Sequence, residues 1–168
     1  MTISRRFLLL GGASAAALAG CAAPATKFRS YQGPQVTGLL LYKGRRRLYL
    51  MSGGTTVKAY DLELGGNPVG HKVQSGDSRT PEGRYFISYH NPNSQYYLSI
   101  GISYPDTEDV ARARALGVDP GGDIMIHGTP REKRGQQDWT AGCIAVSNRE
   151  MEDIYAMVRD GTPITIFP

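Results

Sequence analysis

Beyond its first three dozen residues the chain is patterned mostly in twos. "VTGLLLY" (36–42) and "RRLYLMSG" (46–53) flank Lys43-Gly44-Arg45, and two apolar runs around a Gly-containing turn predict a β-hairpin. In "TVKAYDLEL" (56–64), Val57, Ala59 and Asp61 alternate with Lys58, Tyr60 and Leu62, the period of a half-buried strand. "VGHKVQSG" (69–76), "GRYFISYH" (83–90) and "YYLSIGISY" (96–104) follow at similar spacing, between clusters of Gly, Pro and Asn. "GGDIMIHGT" (121–129) reads as a buried strand ending in His127-Gly128, and "PITIF" (163–167) as a closing strand.

Two segments break this period. "TEDVARARALG" (107–117) is rich in Ala, Arg and Leu, with Thr107 placed to cap it and Gly117 to stop it. The second helix opens at Ser147, whose spacing to Glu150 is that of a capping box. Met151, Ile154, Tyr155 and Val158 then recur at helical intervals until "RDGTP" ends the run. No repeat of 20–50 residues is evident. The expectation is one mainly β domain with about two helices.

The N-terminus stands apart. "MTISRRFLLLGGASAAALAGC" carries Arg5 and Arg6 ahead of an apolar stretch too short to span a bilayer comfortably. "SRRFLLL" resembles a twin-arginine export signal, and "LAGC" resembles a lipobox, with Cys21 as the lipidated residue. The alternative is an ordinary secretory signal cut near "GCAAPA". Residues 1–21 are therefore expected to direct export, and 22–34, "AAPATKFRSYQGP", to tether a domain covering 35–168. The expected location is the periplasm, as a lipoprotein; Ala22 after the cysteine suggests the outer membrane.

Charge adds little to this picture. Removing Arg5 and Arg6 from the 19 basic residues leaves 17 against 15 acidic ones. "KGRRRLYL" (43–50) lacks aromatic interleaving and any nucleic-acid module, so nucleic acid is not an expected partner. The cysteine count says more. With Cys21 lipidated, Cys143 is the one free thiol of an exported chain, where an unpaired thiol is a chemical liability. That favours a reactive role over a buried structural one.

The residues around Cys143 can supply such chemistry. A thiol nucleophile needs a base, a group to orient the base, and donors for the oxyanion. His127 can act as base, and the Gly128 carbonyl can hold its second ring nitrogen. The Gly142 and Cys143 N–H groups can face an oxyanion. A depressed Cys143 pKa is expected from such neighbours. His71 and His90 have no motif around them, and packing roles are their default. A zinc site built from His71, His90, His127 and Cys143 matches no ligand spacing. No metal site is expected.

"IHG…TAGCIAVSN", preceded by "GDSRTPEGRYFI", resembles the L,D-transpeptidase (YkuD-like) catalytic domain. Thr140, Gly142, Cys143, Ile144 and Asn148 match its cysteine motif, and His127 matches the upstream histidine. The resemblance implies a β-sandwich or barrel-like fold with about two helices. It implies cysteine acyl transfer on peptidoglycan stem peptides, with Cys143 as nucleophile, His127 as general base and acid, and no cofactor. The acyl acceptor is then a second stem's amine, a lysine of a wall-anchored protein, or water. Trp139, Thr140 and Arg149 are candidates for substrate binding. Two positions depart from the motif: Ala141 replaces its histidine and Ala145 its arginine. Arg131, Lys133 or Arg149 could supply the missing cation. A non-catalytic wall-binding lipoprotein is the alternative of another class.

Overall fold

Alternating apolar residues give each central strand one buried face, and burying all those faces together curls the sheet around a single core. The computed structural model describes residues 26–168; the leader, Cys21 and the start of the tether lie outside the described residues. The strands are β1 (Gly38–Tyr42), β2 (Arg47–Ser52), β3 (Thr55–Asp61), β4 (Gly83–Asn91), β5 (Ser99–Ile102), β6 (Met125–His127), β7 (Ile144–Ala145) and β8 (Pro163–Phe167). They form one sheet in the order β3-β2-β1-β8-β4-β5-β6-β7. β1 runs parallel to β8 and β6 parallel to β7; the other neighbours are antiparallel. Leu39 and Leu41, Leu48 and Leu50, and Ile164 and Ile166 point inward from β1, β2 and β8.

β4 turns the corner. Its first half, Gly83–Phe86, pairs with β8, and its second half, Ile87–Asn91, pairs with β5 across an irregularity at Ile87/Tyr89. Such a bulge bends a strand and increases its twist. The two ends of the sheet then approach each other. Past β3, Glu63 exchanges both backbone hydrogen bonds with Ala145 of β7, at 2.8 and 2.9 Å. The expected strand 56–64 therefore ends early, because its last residues leave β2 to close on β7.

α1 (Thr107–Leu116) and α2 (Asn148–Met157) are the two expected helices. α2 begins as its sequence implies: Ser147 and Glu150 form a capping box, and Met151, Ile154 and Met157 are buried. α1 is capped one residue earlier than expected. Asp106, rather than Thr107, accepts from the Glu108 and Asp109 N–H groups, and Asp109 returns a bond to the Asp106 N–H. A carboxylate also meets the positive end of the helix dipole, which a hydroxyl cannot match.

The expected strand 69–76 does not form. Asp77 accepts from the Val73, Gln74 and Arg79 N–H groups and from Lys72 Nζ, at 2.8 to 3.1 Å. A side chain that takes up local N–H groups in this way leaves none for a ladder. The segment is a loop wound around one carboxylate. It leads into Thr80, whose buried hydroxyl donates to the Gly142 carbonyl at 2.9 Å.

Candidate active site

His127 ends β6, between Ser99 of β5 and Ala145 of β7. Its Nδ1 lies 2.8 Å from the Gly128 carbonyl. A carbonyl can only accept, so Nδ1 carries the proton and Nε2 is left with a free lone pair. This contact requires glycine at 128: a Cβ there would stand 2.4 Å from Asn148 Oδ1 and 2.9 Å from the Tyr96 carbonyl. Tyr96 stacks on the imidazole with centroids 4.5 Å apart, and Trp139 meets the ring edge-on at 5.6 Å. His127 is only 2 % exposed. Burial lowers its pKa, and the Gly128 hydrogen bond only partly offsets this. The ring is neutral at neutral pH.

Cys143 precedes β7 by one residue. The parallel register pairs Ile126 with Ile144 and His127 with Ala145. Side chains alternate along a strand, so Cys143 and His127 share one face while Ile126 and Ile144 enter the core on the other. The turn that presents the thiol is tied by Thr140, whose Oγ1 donates to the Cys143 carbonyl at 2.7 Å and accepts from the Gly142 N–H at 3.1 Å. Gly142 has φ +131°, and a Cβ there would lie 2.7 Å from the Arg79 carbonyl. Only glycine fits this approach.

Three expectations change here. Thr140 is buried with its hydroxyl committed to the turn, so it is a strut and not a substrate contact. The Gly142 N–H donates to Thr140, which removes it as an oxyanion donor in this conformation. The Cys143 N–H has no acceptor among the described residues and keeps that capacity. The thiol pKa is raised, not depressed. Burial pushes it up, the Met125 backbone N–H draws it back, the nearby Asp123 carboxylate pushes it up again, and Lys72 lowers it. The Sγ donates to the Asp123 carbonyl at 3.4 Å, and no hydrogen bond joins it to His127. Thiol and imidazole both rest in their neutral forms.

Beyond Trp139 opens a cleft of about 550 Å³, with Ala145 in its wall. Lys133, Arg134 and Arg149 line it without an ion-pair partner among the described residues, so Arg134 joins two of the expected cations while Arg131 lies outside the lining. The acidic residues of the wall are otherwise engaged: Glu63 accepts from the Asp138 N–H, Glu150 caps α2, and Glu152 pairs with Arg29. The Trp139 Nε1–H and Asn148 Oδ1 are buried without hydrogen-bond partners among the described residues. Trp139 and Arg149 thus sit where a ligand could reach them. His71 bonds to Asp109 at 2.9 Å, and His90 to Asp160 at 2.6 Å. Both are braces of the scaffold.

Sequence reasoning missed Tyr96, Asp123 and Thr80. Only Thr80 left a signal, as part of "TPEG".

The L,D-transpeptidase catalytic domain family (YkuD) matches residues 38–166. The helical cell shape determining protein Pgp2 of Campylobacter jejuni, in a mutant form, is 26% identical with a TM-score of 0.62, over 81% of this chain and 48% of that one. Bd1075 of Bdellovibrio bacteriovorus is 24% identical with a TM-score of 0.58, over 79% of this chain and 48% of that one. An L,D-transpeptidase from Mycobacterium smegmatis is 14% identical with a TM-score of 0.54, over 81% and 60%. The chain spans about half the length of the first two. A comparison with curated proteins gives no match.

Proposed function

Because the chain belongs to the YkuD family of L,D-transpeptidase catalytic domains, we propose that it is a cysteine acyl-transfer enzyme acting on peptidoglycan stem peptides. The observation that carries this reading is the 2.8 Å contact between His127 Nδ1 and the Gly128 carbonyl. It leaves Nε2 as a proton acceptor on the face of the sheet that also bears Cys143. Attack by Sγ on the carbonyl carbon of the third, diamino-acid residue passes the thiol proton to Nε2. The carbon–nitrogen bond then breaks, and the departing amine takes that proton from His127. The product is a thioester on Cys143.

The neutral resting state of both groups means that the proton moves as the bond forms, as in general-base catalysis. The Cys143 N–H is the available oxyanion donor; in other enzymes one such donor is worth about 10²–10³ in rate. The cations of the cleft suit a peptide carboxylate, on the side of His127 where Trp139 stands.

Hydrolysis or amine exchange is the outcome we favour over efficient cross-linking to a second stem peptide. Ala145 is fully buried and brings no cation to the position where the family motif has arginine, and Ala141 leaves the turn exposed. A cross-linking site must hold an anionic acceptor beside the thioester while excluding water, and arginine does this in a bidentate way. Purified protein given disaccharide tetrapeptides is expected to release tripeptides in excess of dimers, by mass spectrometry. Dominant dimers would make it a cross-linking transpeptidase, and no product from wild type would leave the wall-binding alternative.

A further inference from the structure

Beside Cys143, just before β6, stands an acidic residue that the acyl-transfer reading does not use: Asp123, whose backbone carbonyl meets Sγ. Asp123 is exposed, and its carboxylate has no ion pair or hydrogen bond among the described residues. It is held in the left-handed region, at φ +55°, immediately before Ile124 and the start of β6. Its backbone is fixed on both counts that matter here. The Asp123 carbonyl accepts from Cys143 Sγ at 3.4 Å, and Ile124 is tied by its own carbonyl to the Ile102 N–H at 2.8 Å.

A carboxylate beside a nucleophilic thiol works against that thiol. It disfavours the negative charge that develops on sulfur, and in the free protein it raises the Cys143 pKa, second among the raising causes after burial. Tyr89 completes the surroundings. It projects from β4 over Gly101, and burial, Asp123 and Cys143 together push its hydroxyl up. Lys72 is the other charged group acting on the thiol, and it pairs at 2.8 Å with Asp77. His127, on β6, is neutral. No fixed cation therefore answers Asp123, while Lys72 is answered already.

We propose that Asp123 is the binding residue for a cationic amine of the substrate, the side-chain ammonium of the diamino-acid residue whose carbonyl Cys143 attacks. This inference rests on the acyl-transfer reading of Cys143. A side-chain amine and the carbonyl of one residue lie within a single side-chain length; on the protein, Sγ meets the Asp123 backbone carbonyl at 3.4 Å, and the carboxylate is that same residue's side chain. The ammonium then does two things at once. It anchors the donor peptide through a charge-assisted hydrogen bond, and it offsets the charge that opposes thiolate in the empty site. Tyr89 gives the amine's carbon chain an aromatic wall. Substrates lacking the charge would bind weakly and meet a less reactive thiol.

The test uses Asp123→Asn, which preserves shape and tolerates the left-handed backbone as aspartate does. In a Cys143→Ser background, calorimetry would compare a stem tetrapeptide with a free side-chain amine against the same peptide acetylated on that amine. The free-amine peptide is expected to bind at least about tenfold more tightly, the scale of one charged hydrogen bond, and Asp123→Asn to erase that preference. Equal binding of the two peptides, or a preference that survives Asp123→Asn, would overturn the proposal whatever the turnover assays give. With Cys143 intact, iodoacetamide should label the Asp123→Asn thiol faster than wild type at pH 7 without ligand. Unchanged or slower labelling would remove the electrostatic half of the argument. If the binding preference holds but no peptide is turned over, the substrate site stands and the acyl-transfer reading fails.

Discussion

His127 and Cys143 are two neutral groups brought to one face of a parallel strand pair. The raised thiol pKa predicts that iodoacetamide labels Cys143 more slowly than a free cysteine at pH 7, with the rate climbing only above the ordinary thiol value of about 8.5. A plateau reached below that pH would show a preformed thiolate. The lowered His127 pKa places the acid limit of turnover below the ordinary histidine range, so activity should persist into mildly acidic buffer. Gly128 is the least replaceable neighbour. In Gly128→Ala the new methyl group collides with Asn148 Oδ1 and the Tyr96 carbonyl. A loss of about 1–3 kcal/mol is expected in chemical denaturation, as for overpacked interiors, together with loss of turnover. Near-wild-type values in both measurements would mean that Asn148 can move aside.

At the scale of elements, the loop 72–79 and the turn 140–143 behave as one support. Asp77 gathers the loop, Thr80 ties it to the Gly142 carbonyl, and Thr140 ties the turn to itself. Burial pushes the Asp77 carboxyl up, but Lys72 and the backbone N–H groups of Val73, Arg79 and Gln74 outweigh it and hold the pKa at about 2, against an ordinary 3.8. A depressed folded-state pKa means that the unfolded chain takes up the proton first as the pH falls. The stabilisation is thus fully present above pH 3.8 and is lost as the pH falls towards 2. Asp77→Asn should reduce stability at pH 7 and flatten its decline across that window. A variant whose acid denaturation curve parallels wild type would show that Asp77 is not the group that titrates.

For the whole molecule, part of the segment expected as a tether packs on the domain: Arg29 pairs with Glu152 and Asp153, and Lys27 Nζ donates to the Tyr97 carbonyl. The proposed lipid anchor at Cys21 predicts that Cys21→Ala moves the protein from the membrane fraction to the soluble fraction without loss of turnover by the purified chain. A Cys21→Ala protein that still sediments with membranes would point to another attachment. The curled sheet joins residues far apart in sequence into one site: the charge of Lys72, in the loop before β4, acts on Cys143, and Cys143 acts in turn on the Tyr89 hydroxyl of β4. Tyr96 and Trp139 close on His127 from two different loops.

Whatever depends on neighbours along the chain is legible in the amino acids alone. The alternation in 36–42, 46–53 and 163–167 specified inward-facing strands, Ser147 and Glu150 specified the start of α2, and the spacing of His127, Gly142 and Cys143 within their motifs specified the family. Whatever depends on partners that folding brings together is not. The run 69–76 alternates well enough for a strand, but Asp77 claims its N–H groups first. The motif leaves the Gly142 N–H free for an oxyanion, but in the fold it donates to Thr140 Oγ1. The motif implies a depressed thiol pKa and the fold raises it, because protonation energy follows burial and through-space charge, and Asp123 stands 20 residues away along the chain yet at the sulfur in the fold.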